Sequence, residues 1–411
     1  VAVDVVKVEV ERERTEGAGG SGEEGGLGDI DIDISLVPAA SFPPAFNVVA
    51  PGQLTALPFR IASNYLSEQG VSASSCPLDL SLTVRVGPGQ RRAVLPLRLR
   101  CRTTRQSFVF AFVDHDGSVA RTAAIAPLLP PSNKSASTTT PQVCEACEEE
   151  EGKAGVLLSL HGTGVDASMQ ADSYKYKPRR RRRRKRTRRK EDEPEIPYVF
   201  GVRNAWVLAP TRNGAHNWEY TGYLTALSAL EGLPRAIPKA LRPLLPGVDP
   251  SRVLFAGHSM GGHGAWHIAT HNPDRALAVA SAAGWIKKEH YGDSNRFFLH
   301  DIGGSYTDPR LKAVLEACFT EHNADLHAGN LKGIDVLARV GEEDRAVPPW
   351  EVKRMSRILR SHGVNVTYEE VAGKTHWWWD TSRENDGGVL NDARMRRFFA
   401  ASFGGKRRKR G

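Results

Sequence analysis

The chain has 411 residues, 40% of them hydrophobic and 25% charged, with a formal net charge of +9. That is enough apolar material for a substantial core and enough length for about two or three domains. No run of about eighteen apolar residues occurs, so no membrane-spanning helix is expected, and five cysteines are too few for a disulfide scaffold.

The net charge does not describe a binding face. Lys177 to Lys190 holds twelve Lys and Arg residues and Lys406 to Arg410 holds five. Together these outnumber the net charge, so the rest of the chain is mildly acidic. A run of like charges cannot pack, which makes 177–195 a surface insertion and 404–411 a basic tail. The insertion lacks interleaved aromatics for base stacking. It is taken as a low-complexity expansion rather than a nucleic-acid patch, although basic tracts of this kind also resemble nuclear-localisation signals.

In chain order, Val1 to Val10 largely alternates apolar and polar residues and predicts a strand, followed by a Gly/Glu-rich, disordered stretch at 17–28. Further strands are expected at Ile30 to Val37, Gln53 to Ile61, Leu78 to Val86, Ala93 to Cys101, Ser107 to Val113 and Val119 to Ile125. The turn Asp114-His115-Asp116-Gly117 separates the last two. Short strands without intervening helices predict a small β-sandwich-like accessory domain over 1–127. Residues 128–153 read as a linker. Its Cys144-x-x-Cys147 has no second pair or nearby His, so it is expected to be an exposed pair rather than a zinc site.

From Ala154 the pattern changes to strands alternating with helices, which predicts a mostly parallel sheet flanked by helices over 154–403. Strands are expected at Val156 to Leu160, Ala205 to Ala209, Arg252 to Ala256, Ala278 to Ala282, Asp335 to Val340 and Asn365 to Val371. Helices are expected at Tyr223 to Leu230 with Pro234 to Leu244, Met260 to Thr270, Asp308 to Phe319, Pro349 to His362 and Asp392 to Phe403. The stretch 284–333 is longer than a simple crossover needs and predicts a cap carrying Tyr291, Phe297, Phe298 and Tyr306.

The most informative segment is Arg252 to Trp266. An apolar strand runs into Gly257-His258-Ser259-Met260-Gly261, and small and apolar residues continue at helical spacing. Strand, sharp turn and helix form the setting of a nucleophile elbow, with Ser259 exposed on a strained turn. The Met260 amide, at the start of the helix, is then placed to face a developing oxyanion. Leu158-Ser159-Leu160 leads into His161-Gly162-Thr163-Gly164, where the amide of Gly162 or Thr163 supplies a second donor. Downstream, Gly341-Glu342-Glu343-Asp344 follows a strand, with Asp344 the preferred acid and Glu343 the reserve. His376, in the loop after the last strand, is the expected base. The competing bases His258, His263, His267 and His271 read as packing or surface residues. His263 and His267 are four apart but lack the glutamate of an H-E-x-x-H zinc motif.

The order Ser259, Asp344, His376 is that of the α/β-hydrolase fold. In this scheme His376 takes the Ser259 proton during attack on a carbonyl, Asp344 holds the imidazole, and water cleaves the acyl-enzyme. No metal or organic cofactor is required. The loop after Ala209 carries His216 and Trp218, which with Trp377 are expected to line the pocket.

Asp249-Pro250-Ser251-Arg252-Val253 with Gly257-His258-Ser259-Met260-Gly261-Gly262-His263-Gly264 resembles the catalytic domain of the prolyl oligopeptidase family of serine peptidases. So do Val340-Gly341-x-x-Asp344-x-x-Val347-Pro348 and the late Gly373-x-x-His376. The resemblance spans roughly 154–403 and implies an α/β-hydrolase fold, serine hydrolase activity on short peptides or other small substrates, and the roles above for Ser259, Asp344 and His376. Two departures stand beside it. The preceding segment is far too short for the family's β-propeller. The His161-Gly162-Thr163-Gly164 loop resembles the backbone oxyanion hole of esterases rather than one using a Tyr hydroxyl. A short-peptide peptidase, a carboxylesterase on small or polymeric esters, and a catalytically inactive binding protein on the same scaffold are therefore the three alternatives.

Overall fold

The computed structural model describes residues 102–128 (104 apart), 152–179, 197–237 (213–215 apart), 242–287 and 308–404, together with the strand backbones of the N-terminal segment. In that segment β1 (Val3–Glu11), β3 (Val48–Val49), β5 (Leu78–Val86) and β6 (Arg91–Leu99) form an antiparallel sheet in the order β3-β1-β5-β6. Strand β2 (Ile32–Leu36) pairs with β4 (Phe59–Ser63). The sandwich packing expected of these strands concerns side chains outside the described residues. So do the stretch 17–28, nearly all of the linker, most of the basic insertion, the tail beyond 404 and the Cys144–Cys147 pair.

The rest of the fold is organised by one eight-stranded sheet. Its members are β7 (Phe108–Val113), β8 (Val119–Ile125), β9 (Ala154–Leu160), β12 (Ala205–Pro210), β13 (Val248–His258), β14 (Ala276–Ala282), β15 (Asp335–Gly341) and β16 (Val366–Val371). They lie in the order β16-β15-β14-β13-β9-β12-β8-β7, and a separate two-stranded ladder pairs β10 (Lys175–Tyr176) with β11 (Val199–Phe200). The six strands from β16 to β12 are parallel, and β8 runs antiparallel to β12. Every residue of β9 is buried, as a strand covered on both faces requires.

One expectation is corrected here. The hairpin read as the end of the accessory domain belongs to the hydrolase sheet: β8 pairs Thr122 to Ile125 against Val207 to Pro210. The reason lies in burial. Thr122 to Ile125 is fully buried, so the strand needs cover on both faces, which an edge of a small half-solvated sandwich does not give. Asp114, at the end of β7, accepts hydrogen bonds from Thr225 Oγ1 at 2.6 Å and Arg212 Nη1 at 3.4 Å. These tie the hairpin to α2 (Thr221–Ala236). The domain start expected at 154 therefore precedes Phe108.

The helices that build the two faces are α1 (Ala167–Asp172), α2, α3 (Met260–His271), α4 (Pro309–Thr320), α5 (Pro349–Ser361), the short α6 (Gly388–Asn391) and α7 (Ala393–Gly404). The first piece expected before Pro234 is α2, which continues through Pro234 and ends at Ala236; of the second piece, expected to reach Leu244, 238–241 lies outside the described residues and 242–244 is a turn. Alternate strand residues feed opposite layers. Val156, Leu158, Leu160 and Phe255 pack with Leu230, Trp266, Val352 and Met355, whereas Leu157, Leu254 and Leu337 pack with Tyr174, Met395 and Phe399. In the expected cap, α4 buries no side chain, and Tyr291, Phe297, Phe298 and Tyr306 lie outside the described residues. Among the described residues no helix is long and apolar enough to cross a membrane.

Candidate active site

Ser259 occupies a sharp turn between β13 and α3, with φ 58° and ψ −120°. Non-glycine residues pay to adopt this region, and the neighbouring packing holds the residue there. Its amide donates to the Ala282 carbonyl at 2.9 Å, and its carbonyl accepts from the His263 amide at 3.0 Å, so the helix begins directly at the turn. The flanking glycines are dictated by close approach. A Cβ on Gly257 would lie 2.1 Å from the Gly261 carbonyl oxygen, and one on Gly261 would lie 1.8 Å from that of Leu160. No side chain fits either position.

Loops leaving β15 and β16 bring two more side chains to Ser259. His376 Nε2 lies 3.0 Å from Ser259 Oγ, and His376 Nδ1 lies 2.8 Å from Asp344 Oδ2. Asp344 is buried, and its Oδ1 accepts from the amides of Ala346 at 2.9 Å and Val347 at 2.8 Å. The turn through Val347-Pro348-Pro349 thus holds the carboxylate while its other oxygen faces the imidazole. Glu343, the reserve acid, is exposed, and its amide donates to Lys374 O in the His376 loop.

Gly162 packs against this centre: a Cβ there would lie 3.4 Å from Ser259 Cβ. Two hydrogen bonds fix the peptide planes around it. Trp218 Nε1 donates to the His161 carbonyl at 2.9 Å, and His161 Nδ1 donates to the Gly162 carbonyl at 2.8 Å. Because N–H and C=O are opposed across a trans peptide, these bonds orient the amides of Gly162 and Thr163. Met260 is the first residue of α3, where the amide has no partner within the helix. His161 is buried, and burial lowers its pKa, keeping it neutral.

The expected pocket residues divide. Trp218 is fully buried, with its ring edge-on between His161 at 4.9 Å and His216 at 4.7 Å. His216 Nδ1 accepts from the Trp218 amide at 3.1 Å, and burial pushes its pKa down to about 4. Both residues pack against His161, and Trp218 is closed off from solvent. The reason is α3 itself, which approaches Trp218 so closely that a Cβ on Gly264 would lie 2.6 Å from its Cβ. Trp377, in contrast, is 43% exposed, and Trp379 is 37% exposed, while Trp378 between them is buried. Trp377 Cη2 would stand 3.7 Å from a Cβ on Gly162, beside Ser259.

The remaining imidazoles form packing behind the elbow. His263 Nδ1 faces the Trp285 carbonyl at 3.1 Å and its Nε2 faces Glu219 Oε1 at 3.2 Å. His267 Nε2 lies 3.3 Å from His322 Nδ1. None of these rings is hydrogen-bonded to Ser259. His258 is different: it is buried at the end of β13, and its Nε2–H donates to the His376 carbonyl at 2.8 Å. Sequence reasoning had set it aside as a competing base, and the available signal was its place directly before Ser259.

A mostly parallel sheet covered by helices, with the loops at its strand ends converging on Ser259, defines the α/β-hydrolase fold. Residues 240–406 match the model of the prolyl oligopeptidase family. An uncharacterized secreted protein of Arthroderma benhamiae is 27% identical over 257 residues, covering 61% of this chain and 24% of its own length. An S-formylglutathione hydrolase of Arabidopsis thaliana is 24% identical over 153 residues, covering 37% of this chain and 47% of its own. The chain therefore spans about a quarter and about half the length of these two curated relatives. Among solved structures, an S-formylglutathione hydrolase from Agrobacterium tumefaciens is 17% identical with a TM-score of 0.45, over 74% of this chain and 98% of that one.

Proposed function

We propose that the protein is a serine hydrolase in which Ser259 is the nucleophile, His376 the general base and then acid, and Asp344 the group that orients His376. The observation that carries this is the pair of contacts on one imidazole, 3.0 Å to Ser259 Oγ and 2.8 Å to Asp344 Oδ2. As Ser259 attacks a carbonyl, Nε2 takes the hydroxyl proton, and Asp344 stabilises the resulting imidazolium and its tautomer. The oxyanion is held by the Met260 amide and by that of Gly162 or Thr163. Each such donor contributes about 10² to 10³ in rate. His376 then protonates the leaving group, and water cleaves the acyl-enzyme.

The substrate is a short peptide on the strength of the family match over 240–406. Small esters are the second choice, supported by the backbone loop at Gly162 that abuts Ser259. Trp377 forms the exposed wall beside the scissile group. A fluorophosphonate probe should label the protein, and Ser259→Ala should abolish labelling; undiminished labelling of that variant would sink the proposal. Parallel turnover of short-peptide amides and p-nitrophenyl esters then decides between the two substrate classes.

A further inference from the structure

We propose that His258 is a positioning residue whose Nε2–H holds the backbone of His376 in register with Ser259. This rests on the role of His376 given above. The loop carrying His376 is largely exposed, from Ala372 through Thr375. Its backbone is anchored on both sides of His376: before it the Glu343 amide bonds the Lys374 carbonyl at 2.8 Å and Glu342 accepts from the Gly373 amide at 2.9 Å, and after it the Val389 amide bonds the Trp378 carbonyl at 2.9 Å. The backbone of His376 itself is held by His258, whose Nε2–H meets its carbonyl at 2.8 Å. A carbonyl only accepts, so that bond fixes the His258 tautomer with its proton on Nε2.

The two rings lie 4.6 Å apart, and His258 also packs edge-on against Trp377 at 4.7 Å. The donor at this position must not carry charge. At that separation a second cation would oppose the imidazolium that forms on His376 during reaction, since like charges this close repel. His258 meets the requirement by burial. Desolvation first, then the neighbouring His376, pushes its pKa down to about 3, so it is neutral near neutral pH. Lys or Arg would supply the same hydrogen bond with the wrong charge. Being residue 258, directly before the nucleophile at the end of β13, it reaches the loop of β16 across the strand ends. One short stretch thus places both the nucleophile and the support of its base.

The test uses the full chain with His258→Gln, which keeps a donor at the Nε2 position, and His258→Met, which keeps bulk and loses the donor. Labelling rate with a fluorophosphonate probe, kcat and KM on p-nitrophenyl acetate, and thermal melting are measured together. His258→Met is expected to lose tenfold or more in labelling rate and kcat with KM within about twofold, while His258→Gln recovers to within about threefold of the parent. Equal rates for His258→Met and the parent, equal losses for Gln and Met, or loss of a cooperative melt in His258→Met each overturn the inference. Ser259→Ala run alongside separates the outcomes, because labelling that survives it removes the assignment of Ser259 and His376 itself.

Discussion

Two populations of imidazole meet at α3, and they differ in what surrounds them rather than in residue type. His376 stands at the strand ends in an exposed loop, between a hydroxyl and a buried carboxylate. His258, His263 and His267 are buried at the end of β13 and along α3, facing carbonyls, Glu219 and other rings. The first has Asp344 Oδ2 on one ring nitrogen and Ser259 Oγ on the other. A proton on His258 or His267 would be desolvated, and burial lowers the pKa of both. The same side chain is thus suited to acid–base work or to packing, according to solvent access and its charged partner.

The contrast can be broken most sharply at Asp344. Asp344→Asn keeps the shape but presents a donor to Nδ1, which favours the wrong tautomer of His376. A loss of about 10⁴-fold in kcat/KM on p-nitrophenyl acetate is expected, with the melting temperature little changed. A loss under tenfold would mean that Asp344 does not orient the base.

The buried population makes the second prediction, on stability against pH. In the unfolded chain His161, His258 and His267 titrate near the ordinary value of 6.5, whereas burial lowers all three in the fold. Below 6.5 the unfolded chain binds protons that the folded chain does not. Stability is therefore complete above that pH and falls as pH drops toward the folded values, by up to about 1.4 kcal/mol per pH unit for each group. Urea midpoints should decline steadily from pH 7 to pH 4; midpoints flat over that range would show that these imidazoles are not held neutral. The smallest expected effect is at His271, half-buried at the end of α3 and bonded through Nδ1 to the His267 carbonyl. His271→Ala should change kcat/KM by less than about threefold, and a larger loss would place the α3 imidazoles in the chemistry.

Most of the candidate site was legible in the chain because its signals are local. A strand running into Gly257-His258-Ser259-Met260-Gly261 demands glycines where the backbone crosses Leu160, and a carboxylate or imidazole just after a parallel strand lies at the same end of the sheet as Ser259. The strand and helix boundaries followed the same logic, since both-face burial writes itself as continuous apolar runs. Strand β13 begins before the expected Arg252: Asp249-Pro250-Ser251 is an irregularity within it, where the Ser251 amide and hydroxyl bond back to Asp249 Oδ1.

What the tertiary structure alone decided concerns contacts between segments distant in sequence. The hairpin β7–β8 has the pattern of any short hairpin; only its pairing with β12 makes it part of the hydrolase sheet. Trp218 and Trp377 are both aromatic residues in loops after strands, and composition cannot rank them. Trp218 is buried because α3 closes over it at Gly264, and Trp377 remains exposed beside Gly162. His258 shows the same limit. Its type and position were plain in the chain, but its task depends on a carbonyl 118 residues away. Chemistry set by backbone geometry at one turn is readable from residue types, whereas a role set by burial and a distant partner is fixed only once the chain has packed.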